Sequence, residues 1–241
     1  MAAALEPVSA RGWPPREVEA LGGWRLHAAA GYSGRANACW PIGDPGLPLD
    51  AAIDAAEQWY GRRGLAPLFR PADLATTTAL RQALAERGYR PRKPTLVMTG
   101  PLSPAPAVQV ASGPDPDPGF EALFLASAED PGDAAERLEA VTRIAPPRAF
   151  ACVSHEGMAV AAGATAVDGD WAGLFAMRTA PAHRRQGLAR AIVGALSAFA
   201  DQAGARRAYL QVEAASAPAV GLYEGLGFKA AYSYRFWSRD G

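Results

Sequence analysis

The sequence predicts a mixed α/β fold: a mixed central sheet flanked by helices, preceded by a smaller α/β unit. Three observations carry that expectation. Strand-like and helix-like runs alternate along the chain, the pattern of helices covering a sheet. Residues 171–177 form an apolar run after the Asp168-Gly169-Asp170 turn, and Leu188, Ile192, Leu196 and Phe199 then recur at helical spacing. Proline-rich stretches at 101–106 and 113–119 block helix and sheet alike, so the chain is divided into units 1–102 and 103–241 at the first of them.

Taken in order, the first unit carries a strand at 23–28, a helix at 49–63, a strand at 67–70, a helix at 77–87 and, after Gly88-Tyr89, a strand at 95–99. The second carries a strand at 107–111, helices near 119–127 and 132–144, and a hairpin of 148–154 with 158–167 that turns at Glu156-Gly157. The 171–177 strand, a helix from 188 to about 204, a strand at 207–213, a short helix at 218–225 and an aromatic strand ending near Trp237 complete it. Setting Gly88-Tyr89 against Gly227-Phe228 aligns Leu80 with Ala219 and Leu84 with Tyr223, so the first unit reads as a partial repeat.

Composition removes several classes of function. Lys plus Arg equals Asp plus Glu at 24 each, so no net field draws nucleic acid or an anionic membrane. Cys39 and Cys152 are the two cysteines and lack metal-ligand spacing; with three histidines, no metal site is expected. Position 159 is Ala, which breaks His-Glu-x-x-His after His155-Glu156, and the surroundings of Ser154 fail Gly-x-Ser-x-Gly. No Gly-x-x-x-x-Gly-Lys-Ser/Thr is present for a nucleotide. Without a signal-peptide pattern or about 18 consecutive apolar residues, a cytoplasmic protein is expected.

The richest chemistry lies where the 171–177 strand meets the long helix. Arg184, Arg185 and Gln186 precede the first turn, Gly187 removes a side chain that would block a close ligand, and Ala189 keeps the next turn slim. Unpaired N–H groups and the helix dipole favour an anion there by roughly 0.3–2 kcal/mol, and the arginines add charge-assisted hydrogen bonds.

Arg184-Arg185-Gln186-Gly187-Leu188-Ala189, followed by a strand, a helix with Leu222-Tyr223 and then Gly227-Phe228, resembles the GCN5-related N-acetyltransferase (GNAT) superfamily. The resemblance implies the GNAT fold for 103–241 and makes 1–102 a degenerate GNAT-like unit without the loop. It implies an acyl-CoA-dependent N-acyltransferase using acetyl-CoA as co-substrate. The amides from Arg185 to Ala189 would hold the pyrophosphate, and Met177, Arg178 and Thr179 would pair with the pantetheine amides. Arg190 and Ser216 complete the implied cofactor set, Ser216 standing where the family often has Asn. Tyr223 is implied as the acid for the leaving thiolate and a strand N–H such as that of Met177 as the oxyanion donor. The sequence does not identify the base: Glu213, at the end of its strand, is the best-placed carboxylate ahead of Asp170 and His183, and a water chain is the alternative. Gln211 occupies a position where some members carry Glu.

No cysteine stands where a covalent acyl carrier is needed, so direct transfer in a ternary complex is expected. The acceptor is an amine, of a small molecule or a protein, and the chain a monomer or homodimer. Its specificity is expected from 128–131 and 230–234, while Trp13 and Trp40 suit either a core or a substrate wall. A non-catalytic acyl-CoA sensor or interaction module is the alternative.

Overall fold

The apolar alternation around residues 95–99 belongs to a longer strand, and that strand lies in the sheet of the other unit. The computed structural model describes residues 2–105, 108–126, 128 and 131–239. In chain order the elements are α1 (Ala2–Gly12), β1 (Glu17–Leu21), β2 (Trp24–Ala28), β3 (Cys39–Pro41), α2 (Leu49–Gly61), α3 (Thr78–Glu86) and β4 (Arg90–Gly100). They continue with β5 (Ala111–Gly113), α4 (Pro118–Leu125), α5 (Pro131–Thr142), β6 (Arg148–His155), β7 (Met158–Asp168), β8 (Trp171–Thr179), α6 (Leu188–Gln202), β9 (Arg207–Glu213), α7 (Ala217–Glu224) and β10 (Lys229–Ser238). Among the described residues these form a three-stranded sheet, β1-β2-β3, and a seven-stranded sheet, β10-β4-β9-β8-β7-β6-β5.

The strand β4 runs antiparallel to both neighbours, with Val97 opposite Gln211 of β9 and Thr95 opposite Tyr234 of β10. The large sheet therefore takes one strand from the N-terminal side of residue 102. Its approach mirrors that of β10: Gly88 and Gly227 both have φ of +86°, and the N–H groups of Tyr89 and Phe228 each donate to a carbonyl five residues back, at 3.0 Å. These helix ends need a left-handed residue, which glycine adopts without strain.

Other expectations shift. Helix α1 was not expected, because Pro7 sits inside it and removes a backbone donor. The strand expected at 67–70 shrinks to Phe69, flanked by Pro67 and Pro71, which bridges Cys39 on one side and Trp237 on the other and so joins the two sheets. The strand expected at 107–111 lies at β5 instead, where Ala111 pairs with Cys152; Ala107 falls outside the described residues, as does Ser127 at the end of the first expected helix.

Alternation along the strands sends side chains to opposite faces of the large sheet. Phe175 and Tyr209 join Leu5, Val8, Trp13, Phe120, Phe124 and Val141 under α1, α4 and α5. Leu174 and Leu210 join Ile192, Leu196, Tyr223 and Phe228 under α6 and α7. A third cluster packs Ile53, Trp59, Leu84 and Tyr89 around Trp24 and Trp237. Trp13 and Trp40 are core residues, about 2% and 1% exposed, so neither forms a substrate wall.

Helix α1 is fastened by charge as well as by packing. The buried Arg70 guanidinium donates to Glu6 at 2.5 Å and lies between the rings of Trp40 and Tyr234, 3.7 and 3.6 Å from their centroids. Tyr232 donates to the other Glu6 oxygen.

Two consequences are measurable. Burial lowers His27 to about 4; the Arg35 carbonyl, 3.3 Å from Nδ1, opposes this, and the Arg70 and Arg25 charges reinforce it. Because the folded value lies below the unfolded one, the neutral ring contributes stability above about pH 6.5 that is lost as pH falls toward 4, of order 3 kcal/mol. Denaturant unfolding across that interval should therefore steepen for the wild type and flatten for His27→Gln; parallel curves would remove His27 as the cause. At Gly163, an added Cβ would lie 2.4 Å from Met177 Sδ and 2.8 Å from Ile192 Cγ2. Gly163→Val is expected to destabilise by about 1–3 kcal/mol in urea unfolding, and a neutral result would show that Met177 has room to move.

Candidate functional site

The strands β8 and β9 are parallel neighbours from Trp171↔Arg207 to Leu174↔Leu210 and then part. Beyond that point β8 keeps its ladder with β7, Arg178 lying opposite Ala162 and Thr179 opposite Ala161, while β9 keeps its ladder with β4. The edges of 175–179 and 211–213 thus face a gap. Within it β8 bulges: Ala176 and Met177 together oppose Gly163, and Ala176 has φ of +52°. A bulge takes its extra residue out of the ladder and re-aims the backbone, the geometry suited to offering an N–H to a ligand in the gap.

At the end of β8 the chain makes a 3-10 turn, Pro181–His183, and then an exposed loop into α6. Arg185 and Gly187 are left-handed, with φ of +65° and +79°, and Gly187 is the N-cap. The first backbone bond of α6 runs from Ala191 N–H to the Gly187 carbonyl at 3.1 Å, so the amides of Leu188, Ala189 and Arg190 point out of the helix end. Gln186, Gly187 and Arg190 line a groove of about 340 Å³ with Ser103 and Val108. Arg190 also donates to the Gly225 carbonyl at 3.2 Å, fastening the start of α6 to the end of α7.

Ser216 stands at the N-cap of α7, but its hydroxyl makes no capping bond. Pro218 has no N–H, and that of Ala219 goes to the Ser216 carbonyl at 3.0 Å, so backbone pairing takes the place of the side-chain cap. Tyr223 packs on Phe228 with centroids 5.9 Å apart and is about 6% exposed. Burial raises its hydroxyl to about 12, and the charge of Arg178 pulls the other way.

On the other side of the gap opens a cleft of about 840 Å³. Arg178, Gln211 and Glu213 enter it from the diverging strands, and Tyr234 and Phe236 from β10. The Tyr234 hydroxyl donates to Gln211 Oε1 at 2.9 Å and fixes that side chain. Residues 30–35 and Arg92, Lys93 and Thr95 of β4 complete much of the wall, and the sequence reading did not anticipate them. The signal available was the glycine-flanked loop Gly31-Tyr32-Ser33-Gly34 and the prolines inside β4, but only the strand pairing brings them here. Of the expected specificity segments, Tyr234 lines the cleft; Glu129 and Asp130 lie outside the described residues, and Gly132 and Asp133 just beyond them line it.

Asp170 lies at the opposite end of β8, where its carbonyl accepts from Arg206 and Arg207. His183 stays in the loop with its ring 5.3 Å from that of His155. Both cysteines are buried thiols. Among the described residues no group of three or more His, Cys, Asp or Glu could hold a metal ion, and no helix is long and apolar enough to cross a membrane.

Comparison with known proteins completes the picture. A family model described as "Probable histone acetyltransferase Rv0428c C-terminal" matches residues 2–237. The Bacillus subtilis (strain 168) protein named uncharacterized N-acetyltransferase YobR is 25% identical over 245 residues, 96% of each chain. The ribosomal protein bS18-alanine N-acetyltransferase of Escherichia coli (strain K12) is 37% identical over 79 residues, 33% of this chain and 53% of that one. Among solved structures, a GCN5-related N-acetyltransferase from Kribbella flavida has a TM-score of 0.72 at 17% identity, covering 100% of this chain and 96% of the other. A GNAT-family protein from Novosphingobium aromaticivorans has a TM-score of 0.60 at 21% identity over the same shares. With the family model spanning nearly the whole chain, the chain belongs to the Rv0428c C-terminal acetyltransferase family, and its fold is that of the solved GCN5-related N-acetyltransferases.

Proposed function

We propose that the protein transfers an acetyl group from acetyl-CoA to a primary amine by direct attack in a ternary complex. The observation that carries this reading is the gap between β8 and β9 with the amide-lined start of α6 at its mouth. The donor set fits a diphosphate: outward amides at 188–190, the flanking Arg184, Arg185 and Gln186, and a left-handed Gly187 that keeps the approach open. The open edge at Met177, Arg178 and Thr179 suits an extended amide chain. Ser216, at the start of α7, makes no capping bond with its hydroxyl, and Arg190 supports the site through Gly225.

Acetyl-CoA supplies an acyl group already activated as a thioester. The protein then has to orient a neutral amine, meet negative charge on the acyl oxygen and return a proton to the thiolate. The bulge at Ala176-Met177 offers the N–H for the oxygen. Glu213 takes the amine proton through water along the cleft wall that it shares with Gln211. Tyr223 keeps its proton at neutral pH because burial holds it at about 12, which also makes it a weaker acid than a thiol; the nearby Arg178 charge lowers that difference. In this reading the division at 102/103 is one of labour: residues 103–241 hold the coenzyme, and residues 1–102 help to wall the acceptor.

Release of free coenzyme A over a panel of amines tests the proposal. Tyr223→Phe should lower kcat by about 100-fold with the KM for acetyl-CoA nearly unchanged. An unaltered rate would remove Tyr223 as the acid, and acetyl-CoA binding without turnover of any amine would overturn the transfer reading. Glu213→Gln should lower kcat/KM for the amine by about 100-fold and leave the Kd for acetyl-CoA in place; a smaller effect than tenfold would reassign the base.

A further inference from the structure

We propose that the amine accepted in the cleft also carries an anionic group, a carboxylate or a phosphate, held by Arg35, Arg92 and Lys93 while the amine faces Glu213. The proposal rests on the acetyl-transfer reading above. Although the chain as a whole carries 24 residues of each charge, the cleft does not share that balance. Asp133 and Arg137 neutralise each other at 2.8 Å, and Arg178 and Glu213 stand on the two diverging strands at the transfer centre. Arg35, Arg92 and Lys93 remain, and among the described residues none of them has a carboxylate partner. The Nε of Arg92 is buried with no hydrogen-bond acceptor. A buried, unanswered guanidinium donor in a cleft wall is costly unless something that enters the cleft accepts from it.

The backbone presents these three cations together. Arg92 lies opposite Phe236 in the β4–β10 register, Gly34 rests against the same ring, its Cβ direction only 2.9 Å from Phe236 Cζ, and the next residue, Arg35, carries its guanidinium 5.4 Å from the Trp13 ring. Lys93 sits in a bulge where it and Pro94 oppose Arg235 alone, with φ of +46°. That bulge is tied down twice: Thr95 Oγ1 donates to the Lys93 carbonyl at 2.9 Å, and Ala214 N–H donates to the Pro94 carbonyl at 2.8 Å. Ala214 follows Glu213 directly, and Thr95 is the register partner of Glu213. Arg92 and Thr95 lie opposite Phe236 and Tyr234, two residues apart on β10 and so about 7 Å at the rise of a strand, which separates an anion end from an amine end within one cleft. Guanidinium forks match carboxylate and phosphate oxygens in pairs, and an ammonium beside them adds charge without fixing orientation.

Matched acceptors test this. Coenzyme A release is measured with glutamate against glutamine amide, and with phosphoethanolamine against ethanolamine, the two pairs separating a carboxylate from a phosphate source. At least one acidic amine should exceed its neutral counterpart in kcat/KM by about tenfold or more, through KM, and the advantage should shrink with added salt. Arg92→Gln and Lys93→Gln should each reduce that ratio several-fold, Arg35→Gln likewise, while Lys229→Gln, outside the cleft, should leave it unchanged. Retained acetyl-CoA binding by calorimetry confirms that each variant is folded. Turnover of neutral and acidic amines at equal efficiency, or a ratio indifferent to all three substitutions, overturns this proposal and leaves acetyl transfer standing. Acetyl-CoA binding without turnover of any amine overturns both.

Discussion

The structure depends on β4 lying between β9 and β10. A strand that parts from one neighbour loses half of its ladder, and its freed amides and carbonyls then need either water or a ligand. After Leu210, β9 has left β8, and it holds its course because Leu96, Val97 and Thr95 of β4 continue to pair with Val212, Gln211 and Glu213. The gap is therefore a fixed feature of the sheet, one side held by β7 and the other by β4. The residues that support the far side of the gap come from the N-terminal part of the chain, which makes that part structurally inseparable from the site.

The buried ion pair acts on the same region from behind. Arg70 is fully buried, and its partner Glu6 comes from α1, so removing either charge would leave the other stranded, a change that typically costs about 3–5 kcal/mol. The guanidinium also lies on Tyr234, whose hydroxyl orients Gln211 at the mouth of the gap. Helix α1, Arg70, Tyr234 and Gln211 form one contiguous chain of contacts from the N-terminal helix to the wall of the cleft. It explains why a residue with no ionisable group at position 211 still has a defined orientation there.

What the sequence revealed followed the range of the interactions involved. The loop from Arg184 to Ala189 and the helix behind it were legible because each depends on neighbours within a few residues: an apolar stripe, a glycine and a helix start. The turn at Gly227-Phe228 and its counterpart at Gly88-Tyr89 were legible for the same reason, and their backbone angles agree. The placement of β4 was not, since nothing local in residues 90–100 distinguishes pairing with β1 to β3 from pairing across the chain with β9. Helix α1 was hidden by Pro7, and its burial rests on distant partners such as Phe175 and Tyr209. The cleft wall at 30–35 was invisible in the same way, a loop placed by what the fold brings opposite it.

The two faces of the large sheet then acquire different chemistry. Tyr223 and the start of α6 belong to the face packed by Leu174 and Leu210, whereas Tyr234 belongs to the face packed by Phe175 and Tyr209. A continuous sheet would keep these faces apart. Because β8 and β9 diverge, the gap is where groups from the two faces, Tyr223 from one and Gln211 and Glu213 from the other, can reach one ligand. In the acetyl-transfer reading, donor and acceptor enter from opposite sides and meet only there. Each then excludes water from the other's end of the reaction, and the thiolate and the amine need not share one proton carrier.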